Sequence, residues 1–156
     1  LSIHVLKGAP LRTWIDKGVK VGLGVDGSSS NDSGYLLNEA RQAMLLQRVN
    51  LGANKFSPRE ALFTATRGGA EVLNRNDIGQ ISIGKAADFA IYDLNKIAMS
   101  GAWSDPLAAL VLCTPAKTAY TICNGKVISQ NGHLNNFDLN LSLEKHKVAS
   151  KRLLDL

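Results

Sequence analysis

The chain has 156 residues, of which 45% are hydrophobic and 20% are charged, as is ordinary for a folded domain. No run approaches the roughly 20 apolar residues of a membrane-spanning helix, and no basic region followed by an apolar one indicates a secretory signal. The net charge of +5 suggests the hypothesis that the chain binds nucleic acid. Against it, aromatic residues make up only 6% of the chain and form no base-stacking motif. We therefore expect neither a nucleic-acid partner nor a membrane partner.

The first elements in chain order are predicted to be helices around one buried strand. Residues 10–16 predict a short helix, and the apolar residues 19–25 predict a strand that ends at Asp26. A longer helix runs from about residue 35 to residue 49. Its apolar side chains recur at helical spacing and predict a buried stripe: Leu36, Ala40, Ala43 and Met44.

The next predicted helix begins with a capping box. In the run Ser57-Pro58-Arg59-Glu60, serine and glutamate can cap the first turn, and proline suits the first helical position. We expect the buried side of this helix to use Leu62, Ala65, Gly69 and Val72, with small residues that permit close packing. A domain boundary is predicted at residues 73–77, where helices give way to strands.

The remaining elements are mostly strands. Residues 78–94 predict short strands, within which Asp88 is expected to fix a backbone turn. Asp105 can cap a helix that begins at Pro106. Residues 119–130 predict a hairpin that turns at Asn124-Gly125. The Lys- and Arg-rich residues near the carboxyl terminus predict a helix with a solvated face.

Asp26 is the candidate functional residue that stands out first. It places a carboxylate at the carboxyl end of the predicted strand and opens the polar loop 27–33. In parallel α/β folds that edge of the sheet is where chemistry is done. Asp-Gly after a strand is also an ordinary turn, because Asp caps its own backbone and Gly adopts positive φ. The residue pattern leaves both interpretations open.

The histidines and cysteines indicate no complete site of their own. His4, His133 and His146 form no His-x-His pair and lack the spacing of metal ligands, and His133 is expected to lie exposed in a turn. Cys113 and Cys123 lack the C-x-x-C spacing of redox and zinc motifs. Unpaired thiols in a reducing cytoplasm are therefore expected.

Three parts of the chain carry a recognisable family pattern. They are GLGVDGSSSNDS at residues 22–33, TATRGGAEVL at 64–73 with IGQISIGKAADFAIY at 78–92, and DPL at 105–107 with TICNGKVI at 121–128. Together they resemble the carboxyl-terminal part of the metal-dependent amidohydrolase superfamily. The resemblance is to its branch of guanine, cytosine, 8-oxoguanine and chloro- or hydroxy-triazine deaminases.

The resemblance implies an α/β fold in two parts. Residues 1–75 would be the last strand and following helices of a (β/α)8 barrel, and residues 76–156 would be strands of a small β-sandwich domain with closing helices. A complete barrel needs about 200 residues or more. A chain of 156 residues is therefore expected to be a carboxyl-terminal fragment of a longer enzyme.

The resemblance also implies a function. Asp26 would be both a metal ligand and a general base, and Ser29, Asn31 and Asp32 would contact substrate, unless they only form the turn or cap the next helix. The full-length enzyme would use one divalent metal, zinc or alternatively iron, to deaminate a purine- or triazine-type ring. Because the family's His-x-His pair and its other ligands are absent, the fragment alone is expected to hold no metal and to be inactive.

Two further expectations concern partners. The substrate would be a small heterocycle that contains a cyclic amidine. Surfaces that missing strands should cover predict self-association, so we expect a homo-oligomer. The alternative function is a non-catalytic assembly or interaction module derived from an amidohydrolase.

Overall fold

The computed structural model describes residues 8–31, 33–113 and 116–154 as an α/β fold with a small antiparallel sheet. Helices α1 to α6 span Leu11–Asp16, Leu36–Leu51, Pro58–Ala65, Arg67–Val72, Pro106–Leu112 and Leu139–Leu154. Strands β1 to β4 span Phe89–Tyr92, Thr118–Cys123, Lys126–Gln130 and His133–Leu134, and a 3₁₀ turn spans Ile97–Met99. No helix in these ranges is long and apolar enough to cross a membrane.

The helix starts follow the capping signals of the sequence. At α3 the Ser57 hydroxyl accepts the Glu60 N–H at 3.2 Å, and the Glu60 carboxylate accepts the Ser57 N–H at 2.7 Å. At α5 the Asp105 carboxylate accepts the Ala108 N–H at 3.0 Å. Each such cap satisfies a backbone donor that would otherwise have no partner and contributes typically about 1 kcal/mol. Both predicted caps are confirmed.

The expected single helix after Pro58 is interrupted. Thr66 has φ −123° and ψ −87°, so α3 ends at Ala65 and α4 begins at Arg67. Of the residues expected on its buried side, Leu62 and Ala65 are half-buried and pack against the core, whereas Val72 is 52% exposed. The fully buried residues of α3 and α4 are instead Ala61, Thr64, Gly68 and Ala70.

The strand expected over residues 19–25 is not formed in this structure. A strand is defined by its ladder to a neighbour, and the one sheet among the described residues, β1-β2-β3-β4, does not include this segment. The segment packs instead on the junction of α3 and α4. The Leu23 N–H donates to the Thr64 carbonyl at 3.2 Å, and Gly68 is so near that a Cβ there would lie 2.3 Å from the Val21 carbonyl oxygen.

The sheet is a meander of antiparallel strands. The predicted hairpin between β2 and β3 is confirmed, with Asn124 and Gly125 both at positive φ, 47° and 76°. Of the short strands expected in residues 78–94, only β1 forms. The Asp88 carboxylate accepts the Asn124 N–H at 2.7 Å, so Asp88 does fix the hairpin turn as expected.

Two clusters of buried side chains hold the described part of the chain together. The larger lies where α2 meets α1, α3 and α5, and its buried members are Leu11, Ala40, Ala43, Met44, Phe56, Ala61 and Val111. The smaller joins α2 to the sheet side through Leu37, Met99 and Ala116. The predicted stripe of α2 is confirmed, except that Leu37 is buried and Leu36 is half-buried.

The Tyr35 side chain connects the start of α2 directly to the segment that precedes β2. The Tyr35 hydroxyl donates to the Ala116 carbonyl at 2.6 Å and accepts the Ala116 N–H at 2.8 Å. Burial raises the pKa of Tyr35 above its ordinary value, and the hydrogen bond that the Ala116 N–H donates to the phenolic oxygen only partly offsets that effect. The division of the chain into a barrel part, residues 1–75, and a sandwich part, residues 76–156, stays a prediction.

Cys113, half-buried, and Cys123, exposed, are unpaired as expected.

Candidate functional site

An open groove of about 710 Å³ lies between the 19–25 segment and helices α1 and α2. Its apolar lining includes Leu11, Val21, Leu23, Ala43 and Leu46. Its polar lining includes Asp26, Ser30, Asn31, Glu39 and Gln42. A mostly apolar concave surface with a few convergent polar groups is the usual form of a small-molecule site.

The wall of the groove formed by α1 and α2 is fixed by a buried amide. Gln47 is 3% exposed, and its side-chain oxygen accepts the Arg12 N–H at 3.1 Å while its nitrogen donates to the Ala9 carbonyl at 2.8 Å. These two bonds tie the start of α1 to α2. Because both polar atoms of Gln47 are satisfied, the buried amide carries no unpaired group.

Asp26 lies where the 19–25 segment leaves the groove. Its side chain is exposed, and one carboxylate oxygen, Oδ1, accepts the Gly27 N–H at 2.8 Å. Among the described residues this is the only hydrogen bond that the carboxylate accepts, so Oδ2 is open to a ligand. Its backbone has φ +62°, a left-handed conformation that Asp adopts more readily than most residues with a Cβ.

The loop after Asp26 is a compact turn. The Ser30 and Asn31 N–H groups both donate to the Gly27 carbonyl, at 2.9 Å and 3.0 Å. Ser29 is exposed on this turn and is not among the residues that line the groove. Asp32, the third residue expected to contact substrate, lies outside the described residues.

Asn31 is engaged on every side by the protein. Its side-chain nitrogen donates to the Val25 carbonyl and to the Glu39 carboxylate, each at 2.8 Å. Its side-chain oxygen accepts the Ser33 N–H at 3.1 Å. A primary amide offers two N–H donors and an acceptor oxygen, so these bonds use both donors.

Glu39 is a groove residue that the sequence did not reveal. It lies in the first turn of α2, where an acidic residue is ordinarily explained by the positive end of the helix dipole. In the structure it is half-buried, lines the groove and accepts a hydrogen bond from Asn31. The only signal for it was its position one turn into the helix after a polar loop.

The described residues provide one candidate metal ligand and no complete metal site. Within residues 8–31, 33–113 and 116–154, no three His, Cys, Asp or Glu side chains lie together as a metal centre. His133 in β4 and His146 in α6 are exposed and do not line the groove, and His4 lies outside the described residues. A tight zinc site needs three or four protein ligands. Asp26, with one oxygen open, fits one of them.

Comparison with known proteins matches residues 7–128 to the family described as "Amidohydrolase family". The chain is 41% identical over 137 residues to the 8-oxoguanine deaminase of Pseudomonas aeruginosa, covering 88% of the chain and 30% of that protein. It is 42% identical over 130 residues to the hydroxydechloroatrazine ethylaminohydrolase of Pseudomonas sp. strain ADP, covering 78% of the chain and 26% of that enzyme.

The structure also matches solved proteins. The atrazine chlorohydrolase of Arthrobacter aurescens TC1, complexed with zinc, superposes with a TM-score of 0.84 at 35% identity, over 90% of this chain and 32% of that one. An adenosine deaminase from Xanthomonas campestris with bound zinc gives a TM-score of 0.87 at 24% identity, over 96% of this chain and 34% of that one, a likeness in fold. The chain thus spans between about a quarter and a third of the length of these proteins.

Proposed function

Because the chain belongs to the amidohydrolase family, we propose that it is the carboxyl-terminal part of a metal-dependent hydrolase that deaminates purine- or triazine-type rings. Two relatives with 41% and 42% identity are named for such reactions. We infer that α1 to α4 and the 19–25 segment complete one side of a (β/α)8 barrel. The small sheet would belong to a second domain, a β-sandwich.

The observation that carries the proposal is the position of Asp26. Its carboxylate ends the 19–25 segment beside the groove, with Oδ1 held by the Gly27 N–H and with no described residue bonded to Oδ2. A divalent metal, when bound, would supply the Lewis acidity that makes water a nucleophile near neutral pH, and the atrazine chlorohydrolase with 35% identity is complexed with zinc. Asp26 would be one ligand of that metal, and its carboxylate would accept the proton that the attacking water loses.

The groove beside Asp26 suits a flat heterocycle. Leu23 and Leu46 offer apolar contacts for the ring faces, whereas Glu39 and Gln42 offer polar contacts for ring nitrogens. Ser29 and Asp32 keep their proposed role as substrate contacts from the loop. The isolated chain is proposed to be inactive and free of tightly held metal, because Asp26 is a single ligand.

The test uses a chimera, called here the completed enzyme, in which this chain replaces the matching third of the Pseudomonas aeruginosa 8-oxoguanine deaminase. We expect the completed enzyme to bind one metal per chain and to release ammonia from 8-oxoguanine or a related ring, and the isolated chain to do neither. Tight metal binding by the isolated chain would contradict the proposal. So would a cooperatively folded completed enzyme that neither binds metal nor deaminates any ring tested.

The second candidate function is a non-catalytic assembly module, and the exposed apolar surface favours it. Several large aliphatic side chains are more than four fifths exposed: Val49, Ile81, Ile83, Ile97 and Leu154. Such side chains favour association when they form a continuous patch. Light scattering of the isolated chain should show oligomers under either candidate. A compact monomer that unfolds cooperatively would remove the assembly module and the predicted homo-oligomer together.

A further inference from the structure

We propose that Asn31 is a positioning residue that holds the metal ligand Asp26 in place, with Glu39 as its anchor. The inference rests on the proposed function, because it takes Asp26 to be a ligand. It replaces the expectation that Asn31 contacts substrate. The role follows from where the two side-chain N–H groups of Asn31 point.

The first N–H of Asn31 fixes the backbone directly before Asp26. It donates to the Val25 carbonyl oxygen at 2.8 Å. That oxygen belongs to the peptide group that joins Val25 to Asp26, and a peptide group is planar. Holding the oxygen therefore holds the whole plane from which the Asp26 backbone departs. Asp26 leaves this plane with φ +62°, which is unfavourable for a residue with a Cβ and has to be stabilised by its surroundings.

The second N–H of Asn31 ties this point to a rigid element. It donates to the Glu39 carboxylate at 2.8 Å, and a hydrogen bond to an ionised acceptor is stronger than one between neutral groups. Glu39 belongs to α2, a helix of 16 residues. The residue that follows Glu39 in this helix, Ala40, has no exposed surface. The two hydrogen bonds from Asn31, to Val25 and to Glu39, therefore connect the backbone at Asp26 to the packed core.

The same bonds argue against a substrate contact. Both N–H groups of Asn31 are occupied, and its oxygen accepts the Ser33 N–H at 3.1 Å. A ring nitrogen that needs a donor could bind the Asn31 amide only by displacing one of its two N–H bonds. Residues that orient a metal ligand change metal affinity or activity by about 10- to 100-fold when they are replaced. Asn31 is expected to fall in that range.

The main test measures metal affinity by chelator competition and steady-state kinetics in the completed enzyme. Asn31→Ala should weaken metal binding about 10- to 100-fold and lower kcat, with KM changed by less than about threefold at saturating metal. Asn31→Asp should be at least as damaging, because it brings a carboxylate against the Val25 carbonyl and Glu39. Glu39→Gln keeps an acceptor oxygen and should retain most of the affinity, whereas Glu39→Ala should not.

Asn38→Ala is the matched control, since Asn38 is exposed on the first turn of the same helix. It should leave metal affinity and kcat unchanged. If Asn31→Ala raises KM and leaves metal affinity intact, Asn31 is a substrate contact and the proposal is wrong. A different result would contradict the proposed function itself: Asp26→Ala would leave the metal affinity of the completed enzyme unchanged. If Asp26→Ala loses the metal and Asn31→Ala does not, only the positioning role falls.

A second measurement uses the 156-residue chain itself and needs no metal. Hydrogen exchange of the Asn31 side-chain amide protons, followed by NMR, should be faster in Glu39→Ala than in wild type. Asn38→Ala should leave it unchanged. Equal exchange rates in the wild-type and Glu39→Ala chains would show that the bond to Glu39 does not hold Asn31, and would overturn the proposal even if the completed enzyme did not fold.

Discussion

The helical and sheet regions of this molecule are held together in different ways. Around α2 the side chains of Ala40, Met44, Phe56 and Val111 have no exposed surface. None of the residues in the four strands of the sheet is buried, and Ile91 in β1 is 44% exposed. Helices α1 to α5 each bury side chains or small residues in the core, whereas the sheet relies on ladder bonds and turn contacts such as that of Asp88. The candidate site lies on the region that is packed.

The largest expected effect separates the carboxylates of the two regions. In the completed enzyme, Asp26→Asn should lower kcat by at least about 10²- to 10⁴-fold, because an amide cannot accept the proton of the attacking water. Asp88→Asn should leave kcat nearly unchanged, since its side-chain oxygen can still accept the Asn124 N–H. Retention of more than about a tenth of kcat by metal-loaded Asp26→Asn would reduce Asp26 to a turn residue.

Removal of a core side chain should show the next largest effect. Met44→Ala creates a cavity in the helical region and should lower the free energy of unfolding by about 2–5 kcal/mol. Ile91→Ala in the sheet, and Leu45→Ala on the exposed side of α2, should each cost less than about 1 kcal/mol. Urea denaturation of the three variants checks this order. Equal losses for Met44→Ala and Ile91→Ala would mean that the sheet is covered in solution.

The hydrogen bonds of the Tyr35 hydroxyl that connect the helical region to the sheet region can be removed by one substitution. Tyr35→Phe removes both bonds to Ala116, leaves a partly buried N–H and carbonyl without that partner, and should cost about 1–3 kcal/mol. Tyr120→Phe removes only an exposed bond to Gln130 and is the control. Thermal unfolding should lose cooperativity in Tyr35→Phe alone. An unchanged transition would show that the buried cluster at Leu37 suffices to join the regions.

The smallest effect is a pH dependence confined to the helical region. Partial burial opposes ionisation of Glu60, but hydrogen bonds from Ser57 and the nearby Arg12 outweigh it and hold the pKa of Glu60 below its ordinary value. A carboxylate whose pKa is lowered by folding stabilises the fold above its unfolded pKa, about 4.3 for Glu, and that contribution is lost as the pH falls through the lower folded value. Denaturation between pH 6 and about pH 3 should therefore show a shallower decline in Glu60→Gln than in wild type.

Local signals account for most of what the sequence predicted correctly. Ser57 and Asp105 determine helix starts within three residues of themselves, and Asn124-Gly125 determines a hairpin turn. At the break near Thr66, the Thr64 carbonyl accepts the Leu23 N–H from the distant 19–25 segment, a partner that no local pattern reveals. The strand expected over residues 19–25 was predicted wrongly for a related reason. A strand needs a ladder to a neighbouring strand, and the local sequence does not show whether that neighbour is present.

The candidate site divides in the same way. The sequence placed Asp26 at the end of an apolar run and before a polar loop, but it did not predict the groove beside them, and the role of Asp26 stays a prediction. The partners of Asn31 did not follow, because a polar loop residue can equally cap a helix, form a turn or face a ligand. The choice depended on Glu39, eight residues away, reaching the same amide.

The contact between Gly68 and Val21 limits how this gene can vary. A Cβ at position 68 would lie 2.3 Å from a backbone oxygen, which no side-chain rotation can relieve. Any other amino acid there would push the 19–25 segment away from α4 and would displace Asp26 at its end. In a genetic screen, a change of this helical glycine codon should therefore behave as an active-site mutation, although Gly68 carries no chemistry of its own.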